Sequence, residues 1–180
     1  MSLRRDAGLA VSKLNIKLHE MAVGGQYGEL RATMGGIQHY PGMTNIIPGR
    51  AWCTIDLRNP EDHLMADAER EVASYLKQLE RELGVEISTK RTAKTPRIRF
   101  SEEVQRVIAS KMTDHNLVFQ KIISGAGHDA QELSSLCPTA MIFVPGEHEG
   151  ISHNPREYST PQQCQRGVQI LLETIVELAS

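Results

Sequence analysis

AWCTIDLRNPEDHLMADAEREVASYLKQLERELG, residues Ala51–Gly84, contains both repeat periods that decide the fold. In its first eight residues Trp52, Thr54, Asp56 and Arg58 share one parity, and Ala51, Cys53, Ile55 and Leu57 the other. Successive side chains of a strand point to opposite faces, so this alternation predicts a half-buried antiparallel strand. Asn59–Pro60 closes it. From Asp62 to Leu83 the period becomes helical, with Ala68, Val72, Tyr75, Leu76 and Leu79 along one face of a long charged helix. Gly84 ends that helix.

Working outward, Asp6–Met21 repeats Leu9, Leu14 and Leu18 at helical spacing, and Gly24–Gly25 stops it. Glu29–Gly35 reads as a short strand, Gln38–Asn45 as a loop and Val85–Lys90 as a surface strand. The order helix, strand, strand, helix, strand is a split βαβ pattern without its first strand. A ferredoxin-like layer uses four strands to cover two helices. Either a three-stranded sheet suffices here, or the chain is a piece of a longer protein.

Thr89–Phe100 reads as a junction. Beyond it, Ser101 caps a helix running to about His115, with Glu102 and Glu103 in its first turn. Val118–Ile123 is predicted as a strand, Ser124–Asp129 as a Gly-rich turn and Ala130–Leu136 as a short helix. Thr139–Val144 is solidly apolar, as in a parallel strand buried on both faces. Gly146–Tyr158 is a long polar loop. Thr160 caps a last helix with Pro161 at its first position, and Val168, Leu171, Leu172, Ile175 and Leu178 are its expected buried stripe. Two parallel strands make a poor sheet alone, so this half reads as the edge of a larger α/β layer. Around the two strands the missing part of that layer is expected to leave apolar area exposed.

Composition narrows the function classes. The chain has 180 residues, 40% apolar and 23% charged, with 20 Lys plus Arg against 22 Asp plus Glu. It is too apolar and too balanced for a disordered chain. No run of about 18 apolar residues exists to span a membrane. Met1–Asp6 has no apolar stretch of the kind a secretory leader needs. The near-neutral charge and an aromatic content of 4% argue against nucleic acid. Cys53, Cys137 and Cys164 are odd in number and form no CxxC, so buried thiols in a reducing cytoplasm are expected.

The chemistry-bearing residues cluster after the strands, where open α/β sheets place their sites. His19, His63 and His115 read as structural. His128 lies in SGAGHD, and His148 and His153 lie in the loop after Val144. His153 suits a metal, with a carboxylate orienting its other nitrogen, or equally a hydrogen-bonded loop. Gly125 and Gly127 form a tight turn that is either an anion-holding nest or a sharp strand-to-helix connection. Arg58 could clamp a carboxylate, and Asn45 sits in the polar loop PGMTNIIPG. HExxH, GxSxG, a Walker loop and GxGxxG are all missing.

RRDAGLAV (Arg4–Val11), PGMTNIIPGRAWCTIDLR (Pro41–Arg58), SGAGHDAQ (Ser124–Gln131) and FVPGEHEGISHNPREY (Phe143–Tyr158), in this order, resemble the M20 metallopeptidase and amidohydrolase family. The most similar branch is that of N-carbamoyl-L-amino-acid hydrolases, allantoate amidohydrolases and beta-ureidopropionases. The resemblance implies an α/β (α+β) fold: residues 4–94 as a ferredoxin-like lid and dimerisation domain lacking its first strand, and residues 95–180 as the C-terminal α/β part of a zinc-peptidase-like catalytic domain. It implies His153 as a metal ligand, His128 as a catalytic residue orienting substrate or the metal site, and Asn45 and Arg58 as binders of the substrate carboxylate. Gly125, Gly127 and Gln131 are implied at the substrate as well.

The reaction implied is C–N hydrolysis of a small ureido or carbamoyl acid, with two divalent ions (Zn, Mn, Co or Ni) in the full-length enzyme. None is expected bound to this chain, which would supply one metal ligand of about five and be inactive alone. A homodimer through the lid and a partnership with a missing N-terminal half are the expected assemblies. Two other readings stay open: a stand-alone dimerisation and carboxylate-binding module, or a subunit completing an active site in trans.

Overall fold

The computed structural model describes residues 3–180; Met1 and Ser2, within the stretch inspected for a leader, lie outside the described residues. The chain is mixed α/β and divides into two compact units, Met1–Arg97 and Ile98–Ser180.

In the first unit, α1 (Ala7–Val23) begins where Asp6 accepts the Leu9 N–H at 2.9 Å, and α2 (Asp62–Leu83) ends at Gly84. Gly84 has φ +62° and donates its N–H to the Glu80 carbonyl, the left-handed cap a residue with a Cβ adopts at a cost. Four short strands lie between the helices: β1 (Arg31–Thr33), β2 (Ile37–Tyr40), β3 (Arg50–Cys53) and β4 (Asp56–Arg58). β1 pairs antiparallel with β4, and β2 with β3.

The two ladders differ in register by one residue. Thr33 opposes Asp56 while Ile37 opposes Cys53, so three residues on one side face two on the other. This is bulge geometry, and Gly35–Gly36 supplies the extra length. Thr54 spans the break: its N–H donates to the Gly36 carbonyl and its hydroxyl accepts the Gly36 N–H, both at 3.0 Å. The expected single strand Ala51–Arg58 is therefore two strands serving two ladders, and part of the expected loop Gln38–Asn45 belongs to β2.

Leu14, Leu18 and Met21 of α1 pack with Ala68, Val72 and Leu79 of α2, joined by Tyr27 and Leu30. Val85–Lys90 is not a strand, although Val85 and Ile87 are half-buried between exposed neighbours as the alternation required. The Ile87 N–H donates to Glu80 Oε1 at 2.9 Å instead of to a ladder.

In the second unit, α3 (Glu102–Asp114) and α5 (Pro161–Leu178) pack together, with the short α4 (Ala130–Leu133) between them in sequence. Ser101 caps α3, and Thr160 and Gln163 form a reciprocal capping box on α5. The buried stripe of α5 is not the expected one. Ile170 and Thr174 are buried, and Glu173 and Glu177 beside them bond to His115 and Lys111 of α3 at 2.8 and 3.2 Å. Positions 170, 173, 174 and 177 form one helical face, while Val168, Leu171, Leu172, Ile175 and Leu178 are exposed.

Val118–Ile123 and Thr139–Val144 have no strand assignment, because no ladder partner is present among the described residues. Val118, Phe119, Ile122, Ile123, Phe143 and Val144 are exposed, as expected for that stretch. The second segment still lies close to α5: a Cβ on Gly167 would sit 2.5 Å from Val144 Cγ1. Cys53 is half-buried, but Cys137 and Cys164 are exposed, against the expectation of buried thiols. No helix among the described residues is long and apolar enough to cross a membrane.

Candidate functional site

The first unit holds Asn45 and Arg58. Arg58 ends β4, with Asp56 two residues earlier on the same exposed face. Its Nε donates to Asp56 Oδ1 at 2.9 Å and its Nη2 to Oδ2 at 2.7 Å, the fork geometry a guanidinium offers a carboxylate. These bonds hold the Asp56 carboxyl below the usual carboxylate range, against a smaller opposing effect of burial. They also push the Arg58 guanidinium up. Asn45 lies exposed in the loop joining β2 to β3. The Gly49 N–H donates to the Tyr40 carbonyl at 3.0 Å and closes the base of that loop; the Ala7 N–H donates to the Pro48 carbonyl and ties it to the start of α1.

The second unit holds the remaining candidates. In the Ser124–Gln131 turn, Ser124 Oγ donates to the Ala126 carbonyl and accepts the Ala126 N–H. The His128 N–H donates to Gln131 Oε1 at 3.2 Å, and His128 Nδ1 accepts the Ala130 N–H at 3.0 Å. A Cβ on Gly127 would lie 3.5 Å from that same Gln131 oxygen. Gly127, His128 and Gln131 are thus brought together at the start of α4, with Gly125 in the same turn. An Nδ1 that accepts leaves the neutral ring's proton on Nε2, as a donor.

The loop from 146 to 158 is closed at its base. The Glu147 N–H donates to the Tyr158 carbonyl at 2.8 Å, Ser159 Oγ to the Pro145 carbonyl at 2.9 Å, and the Gln163 amide to Glu147 Oε1 at 3.0 Å. Within it His148, Glu149 and His153 all have positive φ, a conformation uncommon outside glycine that marks a backbone held by its surroundings. For His153, with φ +55°, the hold is visible: its N–H donates to Glu157 Oε2 at 3.0 Å. Glu157 therefore bonds the backbone of His153 and not its ring. His153 itself is exposed.

Asp56 and Glu157 were not singled out in the sequence. The i, i+2 spacing of Asp56 and Arg58 on a strand was the signal available for the first; the second depends on a loop conformation that residue types do not specify. A metal centre needs about three protein ligands. Among the described residues no three His, Cys, Asp or Glu side chains converge on one point. The donors present do not by themselves make such a centre, and His153 stands as a single exposed imidazole.

The sequence model of peptidase family M20/M25/M40 matches residues 7–177. The N-carbamoyl-L-amino acid amidohydrolase of Geobacillus stearothermophilus is 31% identical over 179 residues, covering 99% of this chain and 43% of that protein. The allantoate amidohydrolase of Bacillus subtilis is 28% identical over 181 residues, covering 99% and 43%. A crystal structure of an amidase of the hydantoinase/carbamoylase family from Burkholderia vietnamiensis superposes with a TM-score of 0.91 at 29% identity, covering 97% of this chain and 42% of that one. The chain thus spans less than half the length of these relatives.

Proposed function

Because the chain belongs to peptidase family M20/M25/M40, we propose that it carries the substrate-holding share of a metal-dependent amidohydrolase that cleaves a C–N bond in a small ureido or carbamoyl acid. One observation carries this reading: Arg58 stands on an exposed strand face with its guanidinium aligned by the Asp56 fork. Arg58 and Asn45 bind the carboxylate of the substrate, the group shared by N-carbamoyl amino acids and allantoate-like acids. Holding that end fixes the position of the amide, which supplies orientation.

His128 keeps its proton at Nε2 and donates it as a hydrogen bond to the carbonyl oxygen, favouring the charge that develops there. Gln131 holds His128 in place, and the turn at Gly125–Gly127 brings backbone close to the ligand. The family's metal pair polarises the carbonyl and activates water when bound. His153 is the ligand this chain contributes, and the other ligands come from outside it. The segment 4–94 is assigned as lid and dimerisation domain and 95–180 as part of the catalytic domain. Exposed Tyr40 and Trp52, on one face of the β2–β3 ladder, support a homodimer through the lid. A reducing cytoplasm suits three free cysteines.

Calorimetric titration of the purified chain with N-carbamoyl amino acids is expected to show binding that Arg58→Ala and Asn45→Ala remove. Ammonia release is expected to be absent with Zn, Mn, Co or Ni added. Metal-dependent hydrolysis by the isolated chain would overturn the division of labour. Binding unaffected by Arg58→Ala would overturn the carboxylate site.

A further inference from the structure

On the β1–β4 ladder Arg31 directly opposes Arg58, and Thr33 opposes Asp56. All four positions are exposed, while Ala32 and Leu57 between them are half-buried, so the four side chains share one face. Directly opposed residues in an antiparallel pair sit roughly 5 Å apart at Cβ, and like charges placed so destabilise the pair. Arg58 is answered by Asp56. Arg31 makes no ion pair or side-chain hydrogen bond among the described residues. On these four positions two guanidinium groups stand against one carboxylate, so a ligand carboxylate bound at Arg58 would meet a second cation across the ladder.

We propose that Arg31 is a second cation of the carboxylate site, sharing one substrate carboxylate with Arg58 across the strand pair, and that the site prefers a carboxylate to a neutral group of the same shape. Asp56 is then a fixed counter-ion that aligns Arg58 without neutralising the face. This rests on the reading that Arg58 holds the substrate's acid group, and it adds a residue and a charge preference to that reading. The bulge at Gly35–Gly36 serves the site as well. It ends the β1–β4 ladder after Thr33, so the charged face belongs to a short ladder with its own register.

The test uses the isotopically labelled 180-residue chain at low salt, where exposed charges are least screened. N-carbamoylglycine and its carboxamide are titrated while the backbone amide signals of residues 31–33 and 56–58 are followed. The wild-type chain is expected to prefer the carboxylate. Arg31→Gln should weaken carboxylate binding about two- to fivefold, the size of one exposed charge pair, and leave the carboxamide unchanged. Arg31→Lys, which keeps the charge, should recover part of the loss. Arg58→Gln should abolish the preference. A purely structural Arg31 would not separate the two ligands, and Arg31→Gln should melt no lower than wild type because a like-charge pair is removed. If Arg31→Gln binds as wild type while Arg58→Gln loses the preference, the role of Arg31 is refuted and that of Arg58 stands. If the wild type shows no preference and Arg58→Gln changes nothing, both are refuted.

Discussion

Ile170 and Ile175 lie five residues apart on α5, and the same truncation at each measures which face of the helix is buried. Ile170 is 2% exposed against α3, and Ile175 is 54% exposed. Ile→Ala deletes three carbons. At about 0.8 kcal/mol per buried carbon, the transfer loss at Ile170 is about 2.4 kcal/mol. The cavity left beside α3 raises the total to about 3–4 kcal/mol. At Ile175 roughly half the transfer loss applies and no cavity forms. Alanine's better helix propensity returns about 0.4 kcal/mol, so the net cost is below about 1 kcal/mol. Hydrogen exchange of the α3 and α5 amides through a urea series reads the two costs within the second unit. An Ile175→Ala cost equal to or above that of Ile170→Ala would refute the packing of α3 on the 170, 173, 174 and 177 face.

Other outcomes follow from the same geometry. The Asp56 carboxyl is held low in the folded chain, so its contribution is present above the unfolded value, about 3.9, and is lost as pH falls through the lower folded value. Asp56→Asn should therefore cost up to about 1 kcal/mol at neutral pH and nothing at the acid end, read from urea midpoints against pH. At His153 the backbone has positive φ, so His153→Gly should be about 1 kcal/mol more stable than His153→Ala by thermal melting; the ordinary order, alanine above glycine, would remove the left-handed assignment. Gly84→Ala should lower the stability of the first unit by about 1 kcal/mol, since alanine must adopt φ +62° at the end of α2.

Elements whose signals are local were legible in the chain's own residues. α1, α2, α3 and α5 lie within a few residues of their expected bounds, because caps such as Asp6, Ser101 and Thr160 and the stop at Gly84 act on their own backbone. The exposed Arg58 face was legible for the same reason, since strand parity needs no distant partner. The candidate histidines were also placed in polar turns from sequence alone.

Pairing and packing needed the tertiary structure, because each depends on what lies opposite. A strand exists only with a partner: Val118–Ile123 and Thr139–Val144 have the composition of strands and no ladder, while β2 arose from a stretch read as a loop once β3 lay beside it. The one-residue shift at Gly35–Gly36 is likewise invisible until both edges are in register. α5 is apolar on more than one face, so its period could not say which face meets α3; the burial of Ile170 and Thr174 and the bonds of Glu173 and Glu177 to His115 and Lys111 identify it. Local chemistry determined which residues could bind, bend or cap. Tertiary structure decided which of them meet, as with Arg31 opposite Arg58 and Gln131 on His128, because opposition across a ladder or a turn is a property of two segments and is written in neither one alone.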